Sequence, residues 1–205
     1  MQARAEKTRS NILKAARNLF SEHGFAGTSM DSIAIAAKAN KQRIYAYFGS
    51  KKDLFEAVLL DVFADSAEAF EKFSAGIEVG VSNITFELSQ YYQSLHVQKP
   101  EFQRLLTWAN LENAIDPAVL ASVRRKENDC LRKWFDGEQQ ALRIRSGIAF
   151  ESWLLTVMGT AYFASSNAKT LRNTLGESFF SADARELRSR DLANLFEGKQ
   201  SNSDE

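Results

Sequence analysis

The chain has 205 residues, 44% of them hydrophobic and 25% charged, enough for one medium domain or a small domain joined to a larger one around an ordinary core. Only 2 prolines and 10 glycines against 15 phenylalanines leave too little punctuation for a sheet-and-turn fold, and exclude collagenous and low-complexity chains; the single cysteine, Cys130, excludes an internal disulfide. The zero net charge hides an asymmetry: residues 1–60 carry ten Lys/Arg against five Asp/Glu, a net of +5 that the remaining residues cancel, so a polyanion would meet only the first part.

Helical periods run along almost the whole chain, with no convincing strand alternation. The first helix is expected from about Glu6 to His23, with Ile12, Ala16, Leu19 and Phe20 on one face and Gly24 as a left-handed stop. Thr28-Ser29-Met30-Asp31 reads as a capping box opening a short helix to Ala37, in which the Thr28 hydroxyl and Asp31 satisfy orphan amides. Asn40 then caps a second short helix, Lys41 to Phe48, which Gly49-Ser50 ends.

A longer helix should follow from Lys51 or Lys52 to about Ala75, with Phe55, Leu59, Val62, Phe63, Phe70 and Phe73 as its apolar stripe. After a break at Gly76 to Gly80, Val81, Ile84, Leu88, Tyr91 and Leu95 recur at spacings of 3 and 4. Pro100 and Pro117 each suit the first turn of a helix, predicting helices near Glu101 to Asn113 and Ala118 to Gln140. Helices over Gly147 to Ala168 and Ala184 to Phe196 would complete an all-α chain of about nine helices, and Gly198 to Glu205 reads as a disordered polar tail. The weakly charged stretch from Ser146 to Ala168 contains Glu151 and many small polar residues, which favours a helix buried by protein over a membrane span. Glu151 itself could face a cationic ligand or pair with an arginine, and the pair is the expected reading, since buried charges are rarely left alone.

Met1 to Ser10 is charged, unlike a secretion signal, so the expected location is the cytoplasm and the sequon Asn83-Ile84-Thr85 is read as chance. His23, His96 and Cys130 lie far apart in sequence and form no ligand-spaced set, and there is no phosphate loop or nucleophile elbow. No cofactor, metal or catalytic residue is therefore expected.

Two short helices separated by Lys38-Ala39-Asn40, with a bracing helix before them, form a helix-turn-helix pattern. Lys41, Gln42 and Arg43 occupy the first turn of the second short helix, where a recognition helix presents side chains to base edges. Thr8-Arg9, Ile12-Leu13, Ala15-Ala16, Leu19-Phe20, Gly24-Phe25, Thr28-Ser29-Met30, Ile33-Ala34, Ile44-Tyr45-Ala46-Tyr47-Phe48 and Ser50-Lys51 together resemble the N-terminal domain of the TetR family of transcriptional regulators, over roughly residues 4 to 60.

The resemblance implies a homodimer that sets two recognition helices in successive major grooves of a pseudo-palindromic operator in double-stranded DNA. It implies a helix-turn-helix domain at 1–52 and a ligand-binding and dimerisation domain at 53–205, with repression relieved by a small-molecule effector. By position, Lys41, Gln42 and Arg43 would contact bases, while Thr28, Tyr45, Tyr47 and Lys51 would hold phosphates. Lys38 and Ala39 stand where the family usually has Gly and Val, so either Lys38 takes a left-handed conformation or the turn differs. Lys14, Arg17 and Lys52 are read as a solvated face.

For the larger part, the resemblance places an effector pocket at Phe102, Leu106, Trp108, Trp134, Trp153, Val157 and Tyr162, residues that could equally be ordinary core. The helices at 147–168 and 184–196 would form half of an intersubunit four-helix bundle. The alternative for the whole chain is an all-helical carrier or enzyme that uses the aromatic pocket without DNA.

Overall fold

A computed structural model describes residues 2–78, 80–112 and 116–198. The described residues form ten α-helices: α1 (Gln2–Gly27), α2 (Met30–Ala37), α3 (Lys41–Phe48), α4 (Lys51–Ala75), α5 (Ile84–Gln98), α6 (Pro100–Glu112), α7 (Pro117–Gln140), α8 (Phe150–Ser166), α9 (Ala168–Leu175) and α10 (Ala182–Phe196). A 3-10 turn, Glu177–Phe180, precedes α10, and the lone strand-like feature described is a bridge between Ile144 and Glu197. Both prolines open helices, as expected, because the first turn leaves amides without helical partners in any case. The single helix expected over 147–168 is shorter, and α9 and the 3-10 turn occupy part of the interval between the last two expected helices. Residues 199–205, most of the expected polar tail, lie outside the described residues.

Packing divides the chain into two compact units, one made of residues up to 69 with 99–125 and the other of 70–98 with residues from 126 onward. The expected division at 52/53 follows the chain, whereas the first unit returns to include α6, which packs along α1. Its core is Ile12, Ala16, Phe20, Ile33, Ile44, Leu54, Phe55 and Val58, all fully buried. Phe20 meets Phe55 edge-on with ring centroids 4.9 Å apart, and Phe25 closes the cluster at 5.4 Å from Phe55. Each fully buried large side chain contributes on the order of 1.5–3 kcal/mol.

Gly24 does not take the expected left-handed stop. At φ 72, ψ 179 it occupies an extended region essentially reserved for glycine, and helical structure resumes as far as Gly27. A Cβ at Gly24 would lie 2.8 Å from Trp108 Cε3, so the indole of α6 sits directly on the bare backbone. The amides freed by the kink are satisfied from the same helix: Glu112 accepts the Phe25 N–H at 2.7 Å and the Ala26 N–H at 3.3 Å.

Arg17 departs from the solvated reading. Its side chain is 18% exposed and donates to Asp61 at 3.1 Å and Asp65 at 2.8 Å on α4, and to Glu101 at 2.9 Å on α6. Burial works against the Arg17 charge, but hydrogen bonds to Asp65 and Glu101 outweigh it and raise the guanidinium pKa above its ordinary value. Three carboxylates thus fasten α1, α4 and α6 at one point.

In the second unit α5 packs against both α8 and α10. Trp153 of α8 is fully buried, and its indole N–H donates to Thr85 Oγ1 at 3.0 Å, giving the largest core side chain a fixed orientation. Phe135 and Phe150 pack around it at 5.2 and 6.0 Å. Glu151 pairs with Arg132, as expected, although on the surface and not within an apolar helix interior. His96 is 6% exposed and lies edge-on to Tyr162 at 6.0 Å.

Gly24→Ala combines a forbidden backbone conformation with a clash on Trp108, and a loss on the order of 3 kcal/mol in unfolding free energy is expected by denaturant titration. Burial depresses the His96 pKa to about 4 in the fold, against about 6.5 when unfolded. The unfolded chain binds the proton more readily, so His96 supports stability above about pH 6.5 and that support is lost as pH falls towards 4. His96→Gln should flatten the unfolding free energy across that interval relative to the unsubstituted chain.

Candidate nucleic-acid interface

The recognition elements are held by local hydrogen bonds that their own residue types dictate. Ser29, not Thr28, is the cap of α2: its Oγ accepts the Ser32 N–H at 3.0 Å, and the Ser29 N–H is returned to Ser32 Oγ at 3.2 Å. Thr28 is 2% exposed, and its hydroxyl donates inward to the carbonyls of Gly24 at 2.8 Å and Leu19 at 3.1 Å. The expected phosphate contact through its side chain is therefore corrected: Thr28 is a tie between the α1 kink and α2, and the exposed hydroxyl at this corner belongs to Ser29.

Lys38 adopts the left-handed conformation, φ 52 and ψ 42, and its N–H caps the end of α2 at Ala34 and Ile35. This is one of the two alternatives open from the sequence, and the conformation costs a residue with a Cβ roughly 1–2 kcal/mol. Asn40 caps α3 as expected, with Oδ1 accepting the Arg43 N–H at 2.8 Å. Ile44 and Phe48 bury one face of α3. The opposite face, with Lys41, Gln42, Arg43 and Tyr45, is exposed.

The exposed residues are not equally free. Lys41 Nζ donates to Asp31 Oδ2 on α2 at 3.0 Å, and that hydrogen bond raises its pKa. Lys51 is half-buried with its ammonium 4.4 Å above the Phe25 ring, which fixes the start of α4 against α1. Tyr45 is 43% exposed, while Tyr47 is half-buried beside Phe48. Gln42 and Arg43 carry no side-chain hydrogen bond or ion pair within the described residues, so their polar groups face solvent.

Arg43 also borders a cleft of about 580 Å³ between α1 and the end of α2. Arg4, Lys14 and Lys38 line it with Arg43, Thr8, Asn11 and Asn18 supply neutral polar groups, and no carboxylate contributes. Sequence reading placed Lys14 on an indifferent surface because the grouping comes from three separate segments that only the fold assembles.

The seven aromatic and apolar residues expected to line an effector pocket are distributed between the two units. Phe102, Leu106 and Trp108 belong to the first; Phe102 lies edge-on to Phe63 at 5.2 Å, Leu106 is half-buried, and Trp108 covers Gly24. Trp134, Trp153, Val157 and Tyr162 belong to the second. There Trp134 joins Phe70 and Phe73 at 6.1 and 6.2 Å, Trp153 and Val157 are fully buried, and Tyr162 meets His96. All but Leu106 have a definite packing partner or are fully buried.

No described helix is long and apolar enough to cross a membrane, and no group of three or more His, Cys, Asp or Glu among the described residues could hold a metal ion. Residues 12–58 match the family model "Bacterial regulatory proteins, tetR family", and residues 87–195 match "Tetracyclin repressor-like, C-terminal domain". The chain is 32% identical over 174 residues to the HTH-type transcriptional repressor NicS of Pseudomonas putida, covering 83% of this chain and 82% of the relative. It is 30% identical over 126 residues to the HTH-type transcriptional regulator UidR of Escherichia coli, 62% of each chain. A TetR family transcription regulator of Marinobacter aquaeolei has the same fold, with a TM-score of 0.76 at 19% identity over 97% of this chain and 100% of that one. With two family models spanning most of its helices and a capped recognition helix facing solvent, the chain belongs to the TetR family of DNA-binding transcriptional regulators, which are not enzymes and whose C-terminal domains make regulation responsive to ligands.

Proposed function

We propose that this chain is a cytoplasmic repressor that binds a pseudo-palindromic operator as a homodimer and leaves it when a small-molecule effector binds the larger helical part. The observation that carries the reading is the first turn of α3: Asn40 fixes its backbone while Gln42 and Arg43 project unpaired beside a cationic cleft with no acid in its lining. Arg43 can offer two parallel N–H donors to guanine, and Gln42 can pair with adenine. Arg4, Lys14 and Lys38 extend the same face as phosphate contacts, which position the protein without reading sequence. Tyr45 and Tyr47 can add hydroxyl contacts to phosphate, and Lys41 serves a base or phosphate once it leaves Asp31.

Dimerisation is supported by apolar side chains that the second unit does not bury. Leu155 and Phe163 of α8 are 73% and 58% exposed, and Leu187 and Leu195 of α10 are 54% and 61% exposed. Each pair is spaced by eight residues, so each lies along one stripe of its helix, as an intersubunit four-helix bundle requires. An exposed apolar set of this kind marks an association surface.

Selection of bound sequences from random duplex DNA by the purified protein should enrich an inverted repeat whose half-site centres lie about one helical turn, ~34–36 Å, or a multiple of it apart. Absence of any enriched motif at low salt would overturn the assignment of α3 as a recognition helix. Arg43→Ala should lose about 1–3 kcal/mol of discrimination at one base position of that motif, measured by competition binding. Lys14→Ala should instead weaken all sequences alike and lower the slope of log affinity against log salt by about 1.

A further inference from the structure

A second anion-seeking group lies far along the chain from the DNA face. Arg188 of α10 is half-buried, and the acceptors it reaches are neutral: Nη1 donates to the Phe179 carbonyl at 2.6 Å and Nη2 to Gln93 Oε1 at 3.2 Å, while the guanidinium carbon stacks 4.0 Å above the Phe179 ring. The neighbouring Arg185 is likewise held by a carbonyl, that of Phe180, at 2.6 Å. Among the described residues neither arginine has a carboxylate within ion-pair distance, unlike Arg17, Arg132, Arg143, Arg172 and Arg190. Burial, and then the nearby charge of Arg185, hold the Arg188 pKa below the ordinary arginine value. A desolvated cation without a counter-ion is unfavourable unless something else supplies the charge.

The surroundings of Arg188 specify what that something is. Arg188 borders a cavity of about 200 Å³ between α5, α8 and α10, small beside the roughly 300–1,000 Å³ of drug-sized sites. Ala161, Leu192 and Leu195 form its apolar wall. At the polar end Gln93 is pinned by its amide, which donates to Ser189 Oγ at 2.8 Å and Ser89 Oγ at 3.2 Å. Its Oε1 is therefore directed to Arg188, and three of the five guanidinium N–H groups remain without a partner among the described residues. Asp191, exposed on the cavity rim, adds one negative charge that weighs against a dianion such as phosphate.

We infer that the cavity between α5, α8 and α10 is a binding site for a small monocarboxylic acid, its carboxylate on Arg188 and its hydrocarbon part against Ala161, Leu192 and Leu195. This inference rests on the effector reading proposed above, and it assigns the effector a charge, a size and a place. The place has a consequence for control, because Leu195 lines the cavity and also belongs to the exposed stripe of α10 proposed as the dimer seam. A ligand there bears directly on the helix that sets subunit geometry.

The test is titration calorimetry of the full chain at low ionic strength with butanoate, benzoate and cyclohexanecarboxylate, each against its own amide. At least one acid should bind tenfold or more tightly than its amide. Arg188→Met, which keeps the stem packing on Phe179, should remove that preference, and Ala161→Leu, which fills the cavity and leaves the charge, should weaken the same acid at least tenfold. Thermal melts establish that each variant is folded, and either one alone decides the matter. Acids and amides binding alike, no binding of any acid, or acid binding untouched in either folded variant overturns the proposal. So does a wild-type chain that binds no acid but whose dimer dissociates in Arg188→Met, since the guanidinium would then serve a carboxylate of the partner subunit. Acid binding that fails to release the selected operator leaves this site standing and overturns the effector reading instead.

Discussion

The kink at Gly24 is the constraint on which the DNA-binding unit depends. One residue without a side chain lets the Trp108 indole lie on the backbone of α1, and the two amides exposed by the bend are taken by one carboxylate, Glu112. Thr28 then folds its hydroxyl back onto the same bend, so the start of α2 is registered against α1 by two inward hydrogen bonds. From there the caps at Ser29 and Asn40 carry the geometry forward to the first turn of α3. The orientation of Gln42 and Arg43 is thus determined by a joint made with a helix some eighty residues downstream. α6 falls within the stretch that matches the C-terminal family model, yet it packs as a part of the DNA-binding unit. Arg17 strengthens the arrangement by drawing carboxylates from α4 and α6 to one guanidinium of α1. A change in either helix is felt at α1 through charge-assisted hydrogen bonds, which are directional and costly to leave unmade.

What could be read from the sequence was what short-range chemistry controls. The extent of α3 followed from Asn40 and Gly49, because a cap and a stop act on amides within a turn of themselves. The left-handed Lys38 was one of two readings of a turn that lacks its usual glycine. Thr28 was misplaced because Thr28 and Ser29 are both competent caps, and only the register of α2 against α1 decides which hydroxyl faces the helix end. Arg17 was misread because its partners are 44, 48 and 84 residues away, beyond any periodicity argument. α9 was missed because it is only eight residues long and none of them is buried, so its stripe of Ala168, Leu171 and Leu175 covers barely two turns.

The aromatic residues of the larger part illustrate a different limit. Composition and spacing identify side chains that leave water but not what they face afterwards. Trp153 commits its indole N–H to Thr85 and its ring to Phe135 and Phe150, and so serves as the framework of the second unit. The less conspicuous Gln93 and Ser89 border open space, and their place became visible only when α5 was set against α10.

The ion pair between Lys41 and Asp31 bears on how α3 meets DNA. In the free protein the first cation of α3 is already satisfied by a neighbour on α2, so a featureless phosphate backbone gains less from it than from Arg43. Exchanging Asp31 for a DNA acceptor is close to neutral in hydrogen bonds, and it becomes favourable only where the contact is well placed. Both side chains are largely exposed, so the pair is a weak one, and on the reading proposed above Lys41 can pass from Asp31 to a DNA acceptor at little cost.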